Sequence, residues 1–175
     1  MNPKITLIVL NWNRSQDTIN CLKSLENLKD DNYEILLVDN KSRLDPIENI
    51  LIEFPNINVL KLDKNYGYSG GNNRGFDSLP IESNFVCFLN NDVIVDSDFL
   101  TYFRAGINQY GENCIFGPKI YFEYPSDKIW YGGGAVNLEM GQIYHQHIGN
   151  KDNEENSQSG LTGYVTGCCL LISEK

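Results

Sequence analysis

Positive charge and long apolar runs are both scarce in this chain, and each scarcity removes a class of function. Fourteen lysines and arginines stand against 23 aspartates and glutamates, a net charge of −9 over 175 residues. Binding to nucleic acid irrespective of sequence depends on phosphate neutralisation by Lys and Arg, so no nucleic-acid partner is expected. A polybasic anchor to anionic lipid is missing for the same reason. No apolar run approaches the ~20 residues of a transmembrane helix. Pro3 and Lys4 lead straight into a strand-like run, with no signal-peptide pattern. The expected location is the cytoplasm, with peripheral contact at the cytoplasmic membrane face as the nearest approach to lipid. Five cysteines (Cys21, Cys87, Cys114, Cys168 and Cys169) form no C-x-x-C pair and sit mostly inside apolar runs. They read as reduced core thiols, not as a disulfide framework or zinc site. Glycine is absent from Asn11 to Ser15, where a dinucleotide-binding turn needs G-x-G-x-x-G, and no G-x-x-x-x-G-K-[ST] occurs. Dinucleotide-binding and P-loop folds are therefore excluded.

What remains is an ordinary soluble composition, 41% hydrophobic, 11% aromatic and 21% charged. Its length fits one domain, or one domain with an appendage. Over the first 110 residues strand and helix alternate. Lys4 to Leu10 is a continuous apolar run of the kind buried on both faces of a parallel sheet. Ser15 suits an N-cap, and Ile19, Leu22, Leu25 and Leu28 follow at near-helical spacing. Tyr33 to Val38, Ile57 to Leu62 and Phe85 to Leu89 read as further strands. Pro46 suits the first position of a helix bearing Ile47, Ile50, Leu51 and Phe54. Ser97 and Asp98 can open a helix carrying Phe99, Leu100, Phe103 and Ile107. The alternation predicts an α/β fold, an open, mostly parallel sheet with right-handed crossovers.

After Gly111 the texture changes. Cys114 to Tyr121 and Tyr164 to Ile172 read as strands, Ile129 to Tyr144 as a glycine-punctuated hairpin region, and Asn150 to Gly160 as an exposed acidic loop. The division expected is a ligand-binding half over 1–110 and the start of a second half over 111–175. The chain stops at Lys175 directly after a strand-like run, which reads as a fragment of a longer protein whose cut edge could self-associate.

In open parallel sheets ligands bind beyond the carboxyl ends of the strands. Four segments follow predicted strands there: Asn11-Trp-Asn-Arg14, Asp39-Asn-Lys-Ser42, Asn65 to Gly75, and Asn90-Asn91-Asp92. Asp39 can accept from the ring N–H of a uracil-like or thymine-like base, or serve as a turn or capping residue. Asp92 places one hard oxygen ligand at the mouth of a buried strand. Magnesium or manganese on a diphosphate needs only one or two protein carboxylates; a solvent-exposed turn reads the same. In Asn65 to Gly75, Gly67 and its fellow glycines let backbone approach a ligand. Asn72 and Asn73 can bond sugar or ribose hydroxyls, and Arg74 offers a planar fork for phosphate or a base carbonyl. A run into a helix at Phe76 would add an N-terminus that favours an anion.

Taken in order, Val9-Leu-Asn-Trp-Asn-Arg14, Leu37-Val-Asp-Asn-Lys-Ser42, Asn65-x-Gly67 through Asn72-Asn-Arg-Gly75, and Leu89-Asn-Asn-Asp-Val93 resemble the nucleotide-sugar half of family 2 glycosyltransferases, which have the GT-A fold. The rhamnosyltransferase-like branch, with a Leu-Asn-x-Asp-Val form of the DXD motif, is most similar. The resemblance covers about residues 4 to 140, and Thr166 to Ile172 resembles a later acceptor-side strand. It implies metal-assisted, inverting transfer from a UDP- or dTDP-sugar, dTDP-rhamnose among them, to a saccharide or lipid-linked acceptor, as in surface-polysaccharide assembly. Asn11 and Asn13 would line the base and ribose pocket, with Asp39 on the base and Arg74 on base or diphosphate. Asn65, Gly67, Asn72, Asn73, Asn90 and Asn91 would complete the donor site. Asp92 would hold Mg2+ or Mn2+. Asn90 stands where the family has its first acidic residue and brings no charge. The general base of the family comes from an acidic segment downstream, so it is expected beyond Lys175, and this chain is expected to bind donor but transfer poorly.

Other residues invite roles. His145 and His147 form an H-x-H that could bind metal if both pointed one way, but reads better as a surface hairpin. Trp130 to Gly134 could stack on an acceptor sugar or form a hydrophobic lid. Glu123, Asp127 and Glu139 could each be called a base, and nothing selects one. Two rivals stand beside the transferase: a non-catalytic nucleotide- or carbohydrate-binding module, and a sugar nucleotidyltransferase, for which a glycine-rich basic loop after the first strand is missing.

Overall fold

Residues 5–11, apolar except at Thr6 and Asn11, form the central strand of the sheet. A computed structural model of the chain describes residues 3–80, 84–154 and 156–174. The elements alternate as β1 (Ile5–Asn11), α1 (Ser15–Leu25), β2 (Tyr33–Asp39), α2 (Glu48–Glu53), β3 (Asn58–Lys61), α3 (Gly67–Asp77), β4 (Phe85–Asn90) and α4 (Phe99–Tyr110). Short strands follow: β5 (Ile120–Tyr121), β6 (Ile129–Tyr131), β7 (Gly134–Asn137), β8 (Gln142–His145) and β9 (Cys169–Ser173). The main sheet has the order β3-β2-β1-β4-β9, with β1 to β4 parallel and β9 antiparallel to β4. The α/β architecture with a mostly parallel sheet is as the alternation predicts.

Alternation along the strands divides the core in two. Ile5, Leu7 and Val9 of β1, Leu37 of β2, and Phe85, Cys87 and Leu89 of β4 pack with Ile19, Leu22 and Leu25 of α1, Ile50 of α2, and Leu100 and Phe103 of α4. Ile8, Val38 and Val86 face the other way, toward Phe76 and Leu79 at the end of α3. Both sheet faces are thus covered, as parallel sheets require. The second part of the chain adds two small antiparallel pairs, β5 with β6 and β7 with β8. The β7–β8 hairpin turns through Gly141 at φ +62°, a backbone region that glycine enters without steric cost.

Four sequence expectations need correction. Ser15 is the first residue of α1, not its cap; Arg14 is at the cap position without a side-chain bond. The capping oxygens come from Asp45, thirty residues on, whose carboxylate accepts from Ser15 N at 2.6 Å and Ser15 Oγ at 2.7 Å. Pro46 precedes α2 by two residues instead of opening it. The strands expected over Cys114 to Tyr121 and Tyr164 to Ile172 shrink to β5 and β9, with one bridge from Phe116 to Leu171.

The fourth correction bears on function. Asn65 to Gly75 is not a glycine loop ahead of a helix at Phe76, because the helix begins at Gly67. Gly71 and Gly75, four apart, lie against the sheet: a Cβ on Gly71 would fall 2.6 Å from Leu10 Cδ1, and one on Gly75 2.9 Å from Val38 Cγ2. These glycines let α3 seat closely on β1 and β2. Poor helix propensity is overridden by close packing.

Candidate functional site

The strand order reverses between β1 and β4, since β2 and β3 lie to one side of β1 and β4 to the other. The crevice outside the carboxyl ends at such a point is the expected ligand site. Asn11, Asp39, Asn90, Asn91 and Asp92 all gather there, at or just past the ends of β1, β2 and β4.

Asn11 and Asp39 are register partners on adjacent strands, both buried. Asn11 Nδ2 donates to Asp39 Oδ1 at 3.3 Å and to Ser42 Oγ at 3.1 Å, while its Oδ1 accepts from Thr18 Oγ1 at 2.9 Å. Ser42 Oγ donates to the same Asp39 oxygen at 2.6 Å, and Asn91 Nδ2 donates to Thr18 Oγ1 at 2.8 Å. The chain Asn91–Thr18–Asn11–Asp39–Ser42 therefore ties the ends of β4, β1 and β2 to the start of α1. The bonds Asp39 accepts, from Asn11, Ser42 N and Ser42 Oγ, all fall on Oδ1. Asn13, at φ +55°, accepts from Arg43 N and Leu44 N at 2.8 and 2.9 Å and shapes the loop after β2. The amides of Asn11, Asn13 and Asn91 are thus engaged with the protein itself. In that state they position Asp39 and the loops.

On the opposite face, Asn40 holds the approach to α3: its Nδ2 donates to Asn65 Oδ1 and Gly67 O, both at 3.0 Å, and its Oδ1 accepts from Tyr66 N at 2.9 Å. Nothing in the sequence around Asn40 signals this role, since its partners lie 25 to 27 residues on. Arg74 donates to Gly70 O at 3.1 Å and lies 3.1 Å over the Tyr66 ring, which fixes its guanidinium beside the start of α3. Asn73 is exposed and Asn72 buried. Gly67 to Gly71 also has the Gly-x-Ser-x-Gly spacing of a nucleophile elbow. Ser69 lies inside α3, outside the positive-φ positions, and so forms no strand-to-helix nucleophile elbow.

Asp92 is exposed at the end of β4 and forms no ion pair among the described residues. Its charge helps burial push the Cys168 thiol up to about 11 and the Cys21 thiol up to about 12. Among the described residues no group of three or more His, Cys, Asp or Glu side chains is placed to hold a metal alone. One uncompensated carboxylate fits the hard divalent cations that take most of their ligands from phosphate and water. In a chain of net charge −9, Arg14, Lys41, Arg43 and Lys64 nonetheless all lie in the loops leaving β1, β2 and β3.

The remaining candidates lie elsewhere. His145 Nδ1 is 3.0 Å from Trp130 O, and its ring stands edge-on to Trp130 and Tyr131, while His147 follows the strand at φ +59°. They do not form an alternate-strand metal pair. Tyr131 is buried, its hydroxyl donating to Tyr164 O at 2.5 Å. Asp127 pairs with Lys151 at 2.7 Å. Lys119, Tyr121 and Ser157 all bond Asp152, with Lys119 the largest influence holding that carboxyl well below its usual range.

The family model for glycosyl transferase family 2 matches residues 6–175. The chain belongs to that family. No curated protein matches it significantly. Among solved structures it is similar to S. aureus TarS 1-349, at 20% identity and a TM-score of 0.59 over 77% of this chain and 41% of that one. The same S. aureus protein in complex with UDP-GlcNAc is 24% identical, with a TM-score of 0.57 over 67% of this chain and 34% of that one. A mannosyltransferase from Pyrobaculum calidifontis in complex with GDP-Man and Mn2+ is 13% identical, TM-score 0.58, over 69% of this chain and 36% of that one. These likenesses establish the GT-A fold, and the chain spans well under half the length of each of these structures.

Proposed function

We propose that this chain carries the donor site of a glycosyltransferase that uses a nucleotide-diphosphate sugar. The observations that support it most are a buried, oriented Asp39 at the end of β2 and, just past the end of β4, an exposed Asp92 that forms no ion pair among the described residues. Asp39 Oδ2 would accept the ring N–H of uracil or thymine, while Asn11 and Ser42 hold its other oxygen. Asn13, Asn65, Gly67, Asn72, Asn73, Asn90 and Asn91 would line the remainder of the donor pocket, and Arg74 would meet base or diphosphate. Asp92 would hold Mg2+ or Mn2+, and the bound ion would neutralise charge on the departing nucleoside diphosphate. Similarity to structures holding UDP-GlcNAc, and GDP-Man with Mn2+, supports both the donor class and the ion.

The finer reading is inverting transfer from a UDP- or dTDP-sugar, with dTDP-rhamnose the donor suggested by the Leu89-Asn-Asn-Asp-Val93 motif. The acceptor would be a saccharide or lipid-linked hydroxyl, at the cytoplasmic face of the membrane. No helix among the described residues is long and apolar enough to cross a membrane. Residues 1–110 would form the donor half and 111–175 the start of the acceptor half. A binding module is the second reading, because Asp127 is paired with Lys151, and Asp152 with Lys119, Tyr121 and Ser157.

The test is a calorimetric panel of UDP, dTDP, CDP and ADP. Losing a buried bond to a charged group costs about 1.5–3 kcal/mol, or roughly 10- to 150-fold in affinity. UDP and dTDP should bind tighter than CDP and ADP by that margin, and flat affinities would remove the role of Asp39.

A further inference from the structure

Between Lys128 and Lys151 the sequence carries one charged side chain, Glu139, in a chain that is 21% charged. This stretch holds β6 and the β7–β8 hairpin, and the apolar residues of the hairpin stand outward. Val136 and Ile143, directly opposite in the antiparallel register, share one face and are 41% and 68% exposed. Leu138 and Met140, in the turn, are 88% and 66% exposed. None of the four belongs to either core cluster. Tyr144, exposed on the other face of β8, adds a ring with an apolar body and a polar tip, the kind enriched at membrane interfaces.

The root of the hairpin is fastened. Gly134 N donates to Thr162 Oγ1, and Gly163 N donates to Gly134 O at 2.8 Å. Gln146 N donates to Gly133 O at 2.8 Å, and Gly132 N to Gln146 O at 3.1 Å. An anchored root therefore carries an apolar tip into solvent, and apolar residues exposed together mark an interaction surface. The segment that braces the root, Thr162 to Tyr164, runs on to Cys168, whose carbonyl accepts from Asn90 N at the end of β4. The hairpin is thus rooted beside the strand-end crevice.

Area and charge decide what it fits. Burying a whole Leu, Ile, Met or Val side chain takes roughly 60–120 Å² of it from water, so at these exposures the four offer roughly 150–300 Å². A second copy of the chain would need about 800 Å² from each partner. A lipid surface sets no such threshold, because binding there scales with the apolar area inserted. Glu139 at the tip and the net charge of −9 repel anionic headgroups. We propose that the β7–β8 hairpin docks into the surface of an electrically neutral bilayer. Val136, Leu138, Met140 and Ile143 enter the boundary between headgroups and acyl chains, and Glu139 stays among the headgroups. This goes beyond the donor-site reading and requires no nucleotide, so either can fail alone.

Co-sedimentation of the full chain with phosphatidylcholine vesicles, without nucleotide, tests it on three proteins. They are the wild type, Leu138→Gln combined with Ile143→Thr, and Ile52→Gln. Leu138 and Ile143 are exposed, and Thr keeps strand propensity, so the double variant should melt with the wild type. The wild type should bind weakly and reversibly, and the double variant at least about tenfold less. Ile52, 79% exposed on α2, lies outside the hairpin, so Ile52→Gln should bind like the wild type. Added phosphatidylserine should weaken wild-type binding. No binding to phosphatidylcholine, equal binding by the double variant, an equal loss in Ile52→Gln, or binding that requires phosphatidylserine overturns the proposal. Light scattering without vesicles should give wild type and double variant the same mass. A larger wild-type mass that the double variant loses makes the patch an interface between copies, and this too overturns the proposal. Leu138→Gln alone, in the turn, carries the test with a severalfold loss should the double variant fail to fold.

Discussion

Replacing Asn11 by Asp changes one atom of the hydrogen-bond chain that joins three strand ends, and the consequence can be worked from its neighbours. The amide nitrogen that now donates to Asp39 Oδ1 at 3.3 Å and Ser42 Oγ at 3.1 Å becomes a carboxylate oxygen. Two carboxylates about 4 Å apart repel by about 4 kcal/mol at an effective dielectric of 20. The lost donor to a charged acceptor adds about 1.5 kcal/mol, at the low end because 3.3 Å is long. Partial relaxation toward Ser42 and solvent offsets some of this, so Asn11→Asp should destabilise by about 3–5 kcal/mol at pH 7. The repulsion raises the folded-state pKa of the pair above the unfolded value near 4. A raised carboxyl favours the fold only when protonated, so the deficit relative to wild type should be full at pH 7 and shrink as pH falls toward 5. Urea unfolding of both proteins at pH 7 and pH 5 measures it. A deficit under 1 kcal/mol at pH 7, or one that grows on acidification, would refute the buried Asn11–Asp39 contact.

Two further substitutions test the local packing. Gly75→Ala should gain about 0.8–1 kcal/mol of helix propensity. Its Cβ, however, would lie 2.9 Å from Val38 Cγ2 and 3.1 Å from Ile8 Cγ2, both stiff β-branched core residues, and overpacking of this kind costs about 1–3 kcal/mol. The expected net result is a melting temperature lower by roughly 2–4 °C, and a rise in thermal denaturation would contradict the close seating of α3. Asp45→Ala should cost about 1 kcal/mol as a lost helix cap. The Ser15 N–H, and then its hydroxyl, hold the Asp45 carboxyl below its usual range, so the wild-type cap is present above about pH 4 and lost as pH falls through the lowered value. A gap between wild type and variant that is unchanged from pH 7 to pH 2 would show that Asp45 is not the cap.

Much of this molecule is legible in its residues. Lys4 to Leu10 reads as a doubly buried strand because a parallel sheet covers both its faces, and Ile19, Leu22 and Leu25 mark α1 because each period meets the same core. What is not legible depends on partners far along the chain. Asp45 caps α1 across thirty residues, and no local signal at Ser15 shows that the cap position is Arg14. The glycines of α3 look like a loop until Val38 and Leu10 are seen beneath them, because propensity knows nothing of a neighbouring strand. The direction of β9 follows from pairing with β4, some 80 residues earlier. At the strand ends the motifs converge on one crevice, yet they cannot distinguish an asparagine free to meet a ligand from one that orients Asp39. Asn13 bonds the loop after β2, and Asn91 bonds Thr18. Asn72, buried with an unmet oxygen, is distinguished from Asn73 beside it only by the helix phase.

We propose that Asp92 holds a divalent ion against a nucleoside diphosphate at the end of β4. Its most direct measurement is calorimetric titration of UDP and dTDP into wild type and Asp92→Asn, with and without Mn2+. Asp92 is exposed and makes no ion pair among the described residues, so the variant should melt within about 0.5 kcal/mol of wild type. Mn2+ should strengthen nucleotide binding in the wild type and do nothing in the variant. Equal metal-dependent binding by both proteins would show that Asp92 does not hold the ion.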